Sequence, residues 1–260
     1  MKSNYSTPKY VPRVSIIAAA LATLLTTAAS AHADPLALWN IVNGKCVTDW
    51  QANHLPAPCL QVDTNGGVAI LKDLVGAAQL LAIPTHRITG IEDPQLLAGD
   101  APDLFGAAWD SRHFVFDKLR KEMPRDALGL AINSPLSRSQ NQAHVHVDCL
   151  KADVRDELAK RAATMEQGWS KEPWDIGGNS YEALRIDGSD LHGANLFKQV
   201  DEKLKGEGQS ITTATIFIGG ETFDGGKEGF LLLTASANLI TGYLAHAEDL
   251  LDHDCAIAKD

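Results

Sequence analysis

The stretch AHVHVDCL, Ala143 to Leu150, constrains the fold more than any other part of the chain. Read as a strand, it sends successive side chains to opposite faces. Val145, Val147 and Cys149 then form an apolar face for a core. His144, His146 and Asp148 fall together on the other. A sheet built around this strand must give three polar side chains either partners or a task. Three environments meet that demand. One is the solvated outer face of an antiparallel sheet. Another is a metal site, with two strand histidines and a carboxylate completed by a distant ligand such as His86, His113, His192 or His246. The third is nucleophilic catalysis, in which a neutral imidazole attacks phosphorus and carries the phosphoryl or nucleotidyl group. That chemistry needs polar donors beside the nucleophile, and Asn133, Ser139, Gln140 and Asn141 stand just upstream.

The rest of the chain mixes strands and helices. GGVAILKD (Gly66 to Asp73) and AQLLAIPTHRI (Ala78 to Ile88, ended by Pro84) read as a hairpin. Pro102 to Glu122 has mainly helical spacing. LGLAIN reads as a strand, separated from the histidine strand by the turn-rich SPLSRSQNQ. ADVRDELAKRAATM reads as a helix with Asp153 as candidate N-cap. EQGWSKEPWDIGGN reads as a loop, YEALRI as a strand and HGANLFKQVDEKLK as a helix. ITTATIFIG and GFLLLTAS form a hairpin around ETFDGGKE. The C-terminal segment reads as helical near Tyr243 to Leu251. Residues 34–62 read as irregular, with a short helix around LALWNIV. Strict β-α-β alternation is missing, so the expected class is α+β around an antiparallel sheet. No clear linker divides the chain, although the loop near Gly177 is a candidate boundary between subdomains.

At the N-terminus, Lys2, Lys9 and Arg13 precede VSIIAAALATLLTTAAS and then Ala31-His32-Ala33. This describes a signal peptide cleaved before Asp34. Val14 to Ala33 is also about long enough to be an uncleaved membrane anchor. Either reading exports the remaining chain, and a bacterial periplasm suits it best. The formal net charge of -10 becomes more negative without those three basic residues. An acidic surface argues against nucleic acid as the main partner. The four cysteines, Cys46, Cys59, Cys149 and Cys255, suit two disulfides in an exported protein. Of three possible pairings, the preferred one closes a short loop with Cys46–Cys59. It then ties the chain end to the histidine strand with Cys149–Cys255. Trp169 and Trp174 are candidates for membrane contact or for ordinary packing. Arg138 and Lys72 read either as phosphate contacts or as solvated charge. His192, His246 and His253 have no motif around them and read as structural or surface residues.

LAINSPLSRSQNQAHVHVD resembles the active-site signature of the histidine-triad (HIT-like) nucleotide hydrolases and transferases. The spacing from Asn133 to Gln140, His144 and His146 matches that pattern, and LLAIPTHRI resembles the strand that precedes its long helix. Within that superfamily the SRSQNQxHxHxxC run, the exported N-terminus and the length look most like the CDP-diacylglycerol pyrophosphatase family. The resemblance implies a HIT-like antiparallel sheet with flanking helices, extended by a C-terminal α+β portion. It implies one domain over residues 34–260, with its signature at 68–150, behind a leader or anchor at 1–33. It implies cleavage of CDP-diacylglycerol to CMP and phosphatidate at the periplasmic face of the inner membrane, through a nucleotidyl-histidine intermediate. His146 would be the nucleophile, oriented by His144. Asn133, Gln140, Asn141 and Ser139 would hold phosphate oxygens, and Asp73 would bind the ribose. The scheme implies no cofactor. The partners would be the nucleotide-lipid and a membrane surface or the N-terminal anchor. Asp148 departs from the triad, which has a third histidine there. An ionised carboxylate repels phosphate, so Asp148 is expected to accept a hydrogen bond from an imidazole or to stabilise a cation. Two other readings remain. One is a hydrolase or transferase acting on a soluble nucleotide diphosphate. The other is a non-catalytic exported metal-binding module.

Overall fold

A computed structural model describes Met1 and residues 34–259. The expected signal peptide or anchor lies outside the described residues. In chain order the structure runs α1 (Ala37–Ile41), a π-helical turn (Val42–Val47), α2 (Thr48–Asn53), then strands β1 (Gln61–Asp63), β2 (Val68–Lys72) and β3 (Leu80–Pro84). Helices α3 (Leu104–Asp110) and α4 (Arg112–Leu119) precede β4 (Leu128–Ile132), β5 (Val145–Leu150) and α5 (Ala152–Ala162). The C-terminal part adds β6 (Gly168–Trp169), β7 (Trp174–Ile176), β8 (Asn179–Asp187), α6 (Leu196–Gly206), β9 (Ala214–Phe223), β10 (Lys227–Ser236) and β11 (Leu251–Asp252). This is an α+β protein.

The sheet order is β1-β2-β3-β5-β4-β9-β10-β8-β6, with antiparallel pairing throughout. The histidine strand β5 is therefore central, with β3 on one side and β4 on the other. That position rules out the solvated-face reading of HVHVD, because both faces of β5 are covered. Val145, Val147 and Cys149 join the core beneath α3 and α6, with Leu104, Phe105, Trp109, Phe197 and Val200. The opposite face carries two separate helical packages. α1 and the π turn seal Leu38, Val42 and Cys46 against Leu71, Leu81 and Ile83. α5 seals Val154 and Leu158 against Ala131, Leu150 and Phe217. In register, His146 pairs with Leu81 of β3 and with Ala131 of β4. The histidine face thus opens between the two packages.

The expected hairpin of β2 and β3 forms, as does that of β9 and β10. Both disulfides form as preferred, Cys46–Cys59 and Cys149–Cys255. Several expectations need correction. The region 34–62 is largely helical, because Leu38, Val42 and Cys46 provide a buried stripe over the sheet. The helix expected over Pro102 to Glu122 divides at Ser111, whose hydroxyl donates to the Ala108 carbonyl. Asp153 is not the N-cap of α5. Lys151 holds that position, and Asp153 lies in the first turn and accepts from the Val154 N–H. The loop at 166–179 contains β6 and β7, which pair with β8. Its tryptophans pack: Trp174 is buried with Arg161 over its ring, and Lys203 lies over the half-buried Trp169.

The helix expected from Tyr243 to Leu251 reduces to one 3-10 turn, Ala247–Leu250, followed by β11. Its backbone groups bond across the fold instead. The Ser134 N–H donates to the Ala245 carbonyl, and Ala245 takes a left-handed conformation at φ 57 that a helix cannot contain. Residues 166–259 extend the sheet, and the final segment returns to β5, where β11 pairs with Leu150 and Cys149. Among the described residues, no helix is long and apolar enough to cross a membrane.

Candidate active site

Between the two helical packages lies a cavity of about 670 Å³. Its apolar wall is formed by Leu38 and Ile41 of α1, Leu71 of β2, Leu81 of β3, and Leu74 and Val75 of the loop that follows β2. Its polar wall holds His144, His146, Asn133, Ser139, Gln140, Asp73, His246 and Glu248. Tertiary structure thus gathers every expected site residue but one. Asn141 does not line the cavity: its side-chain oxygen accepts from Arg138, and its N–H donates to the Pro35 carbonyl.

Glu248 organises the polar wall. Its Oε2 accepts from Asn133 Nδ2 at 2.9 Å, and its own N–H donates to Asn133 Oδ1 at 3.1 Å. Its Oε1 accepts from Gln79 Nε2 at 3.0 Å. Three imidazoles approach the same carboxylate: His146 Nδ1 and His253 Nε2 at 3.3 Å each, and His246 Nε2 at 3.4 Å. Burial alone would raise the Glu248 carboxyl. The bond to His246 and the donors from Gln79 and Asn133 outweigh it and hold the group below the ordinary carboxylate range.

The histidines divide into two kinds. Burial pushes His144 and His146 below the ordinary imidazole range, so both are neutral. His246 and His253 each bridge two carboxylates. His246 Nδ1 donates to Asp249 Oδ1 at 2.9 Å while its Nε2 faces Glu248, and its pKa rises to about 8, mainly through the Glu248 bond. His253 Nδ1 donates to Asp148 Oδ2 at 2.9 Å, and this bond raises its pKa. Asp148, fully buried, also accepts from the Cys149 N–H. It therefore accepts from an imidazole, as expected, and that imidazole comes from the far end of the chain.

Several polar groups of the wall are already occupied. Arg138 makes a two-pronged pair with Glu92, at 2.5 and 2.7 Å. Gln140 uses its amide to tie down the start of the domain, accepting from the Leu38 N–H and donating to the Asp34 carbonyl. The Lys72 ammonium donates to the carbonyls of Asp73, Val75 and Gly76.

The sequence reading missed Glu248, Gln79 and His253, and it named His246 only as a possible distant metal ligand, since none of these residues lies in a recognisable motif. One signal pointed to three of them. The Cys149–Cys255 pairing brings the last residues, HAEDLLDHDC, against the histidine strand. Of the distant metal ligands suggested by the sequence, His246 reaches the cavity wall with His144 and His146, and His86, His113 and His192 do not. His192 lies between Asp103 and Asp110, and His113 donates to the Asp110 carbonyl, both outside the cavity. Among the described residues, the ligating atoms close enough to share an ion belong to Asp148, Cys149 and Cys255. The two sulfurs there are joined in a disulfide, which removes their thiolate donors.

The family model of CDP-diacylglycerol pyrophosphatase matches residues 33–259. The chain belongs to the CDP-diacylglycerol pyrophosphatase family. A curated relative, the CDP-diacylglycerol pyrophosphatase of Yersinia pestis, is 36% identical over 221 residues, which cover 85% of this chain and 84% of that protein. For a member of this family, the match takes in both helical packages, the histidine strand and the C-terminal segment that carries Glu248 and His253.

Proposed function

We propose that this protein hydrolyses the diphosphate of CDP-diacylglycerol, releasing CMP and phosphatidate, through a nucleotidyl group held on an imidazole. The observation that carries this reading is a cavity with neutral and cationic imidazoles on one wall and apolar side chains on another. The family membership supplies the substrate class. A resemblance to the histidine-triad proteins supports a HIT-like core at residues 68–150 within one domain spanning 34–260. The two disulfides favour an oxidising compartment, so we place the protein at the periplasmic side of the inner membrane.

The signature pattern assigns attack to His146. Hydrogen-bond polarity favours His144 instead. His144 Nδ1 lies 2.7 Å from the Gln142 carbonyl, which can only accept, so the proton sits on Nδ1 and Nε2 keeps its lone pair. His146 has the opposite polarity. The Gln79 amide nitrogen faces the Glu248 carboxylate, since the reverse orientation would aim oxygen at oxygen. The same nitrogen lies 2.7 Å from His146 Nδ1, which therefore accepts. The proton of His146 is then on Nε2, a buried group with no partner and a suitable donor for a phosphate oxygen.

In the first step His144 Nε2 attacks the phosphorus attached to cytidine. The bond from that phosphorus to the bridging oxygen breaks, and its electron pair leaves with phosphatidate. The His246 imidazolium, in the cavity wall, gives the departing oxygen its proton and becomes neutral. In the second step neutral His246 takes a proton from water, which attacks phosphorus and breaks the N–P bond to release CMP. Each positioned proton transfer is worth about 10²–10⁴-fold in rate. Asn133 orients Glu248, and Asp73 lies at the cavity edge for the ribose.

The test uses CDP-diacylglycerol radiolabelled at the cytidine phosphorus, in EDTA, with acid and base quenches. The expected result is CMP release and a protein adduct that survives base and is lost in acid. His144→Ala should abolish the adduct, whereas His146→Ala should slow its formation. An adduct lost only in His146→Ala returns the attack to His146. No CMP in EDTA, with activity restored by zinc, replaces this scheme with a metal-dependent one.

A further inference from the structure

Among the described residues, the large apolar side chains left exposed are unevenly distributed. Apart from Met1, they lie within residues 36–55, at Leu74 and Val75, at Leu136, and within residues 239–244. None lies at 76–135 or at 137–238, the stretches that include α3, α4, α5 and α6. Leu74 and Val75 belong to the cavity wall, and Leu136 precedes the wall residue Ser137. The carbonyl of Leu244 accepts from Ser134 Oγ, on the same loop as Leu136. Leu239 and Ile240 line a separate cavity with Thr213, Thr234 and Ala235, whereas Leu36, Leu74, Val75, Leu136 and Leu244 lie on segments that border the histidine cavity. A concentration of this kind marks an interaction surface, since single exposed apolar residues are otherwise scattered.

The Leu74–Val75 loop is firmly built. Leu74 is 99% exposed and Val75 60%. The Lys72 ammonium gathers three loop carbonyls, and the Val75 N–H donates to Asp73 Oδ1. The Ala77 N–H donates to the His253 carbonyl, which ties the loop to the catalytic wall. These bonds hold the backbone in a shape that keeps both apolar side chains in water. Behind them, Leu71, Leu81, Leu38 and Ile41 continue an apolar path toward the imidazoles. Asp34, the residue after the N-terminal apolar stretch of the sequence, is held beside this cavity by Gln140.

The geometry points to a lipid-docking rim: Leu74 and Val75, with Leu136 and Leu244, enter the acyl region of the lipid layer that holds the substrate. The apolar wall then covers the first part of the acyl chains while the diphosphate reaches the histidines. This rests on the CDP-diacylglycerol reading of the cavity. A lipid layer is the occupant that fits, because a diacyl lipid leaves its layer only when apolar surface replaces the surface it loses. The rim and the wall provide that surface without a break.

The test uses the full-length protein carrying Leu74→Trp, mixed with phosphatidylcholine vesicles with or without bromine on the acyl chains. Bromine should quench the added emission beyond any change in the unsubstituted protein. It should leave unchanged the emission added by Lys198→Trp, on α6 across the sheet. A Leu74→Trp signal indifferent to bromine overturns the rim. A second measurement takes the ratio of kcat/KM on long-chain CDP-diacylglycerol in vesicles to kcat/KM on a short-chain monomeric form. In the Leu74→Ser/Val75→Ser double variant this ratio should fall about tenfold or more. An unchanged ratio likewise overturns the rim. If bromine quenches but neither substrate yields CMP, the hydrolytic reading fails and the rim stands. If CMP forms and bromine has no effect, the rim fails and hydrolysis stands.

Discussion

Replacing Glu248 by Gln removes one negative charge from the middle of the imidazole cluster and changes volume very little. His246 should respond most clearly. Its pKa is raised from 6.5 to about 8, chiefly by the bond to Glu248, with Asp249 as second support. That rise corresponds to about 2 kcal/mol in favour of the imidazolium. The His246 side chain is 34% exposed, so solvent screening leaves about 1 kcal/mol. A raised histidine contributes stability that is fully present below pH 6.5 and lost as pH rises through about 8. The same window governs activity, because the acid form of His246 protonates the leaving group. The wild-type profile of kcat/KM, read from CMP release, should therefore fall on the alkaline side near pH 8. In Glu248→Gln that limb should move toward pH 6.5 by about half a unit to one unit, since Asp249 still holds Nδ1. The acid limb should lie below pH 6.5 in both proteins, because burial keeps His144 neutral there. Thermal stability should follow: the gap between wild type and variant should narrow between pH 6.5 and about 8. An alkaline limb that stays in place in a folded Glu248→Gln protein would refute the role given to His246.

Asp148→Ala strips the buried Cys149 N–H of its acceptor and should cost about 1–3 kcal/mol, read from chemical denaturation. In the same variant the His253 pKa, followed by NMR, should drop toward 6.5. Replacing Cys149 and Cys255 together by Ser opens a loop spanning 106 residues and should cost about 2–5 kcal/mol. Activity should fall with it, because His253 stands two residues before Cys255. Gly220→Ala would place its Cβ 2.5 Å from the Arg125 carbonyl oxygen and 2.6 Å from the Trp109 ring. It should destabilise by about 1–3 kcal/mol and leave CMP release per folded molecule unchanged.

The chain order of β2, β3, β4 and β5 was legible because each is short, apolar and bounded by turn residues. The division of β5 into two faces followed from side-chain alternation alone, and so did the grouping of His144, His146 and Asp148. Spacing also located Asn133, Ser139 and Gln140 near those histidines. These are local properties, carried by residues a few positions apart. The sequence did not reveal that both faces of β5 are buried, because burial depends on which strands lie beside it. The C-terminal segment was misread for a related reason. YLAHAEDLL has adequate helix formers, yet its backbone is claimed by Ser134 and Asn133, more than a hundred residues away. The role of Gln140 was local in prediction and distant in fact, since its amide is taken up by Asp34 and Leu38. By itself, the sequence determined the strand and its two faces, and only its resemblance to a family pointed to the class of chemistry. Only the tertiary structure could bring Gln79, His246, Glu248 and His253 to that face. Charge and hydrogen-bond polarity at an imidazole depend on neighbours in space, and these neighbours come from two widely separated parts of the chain.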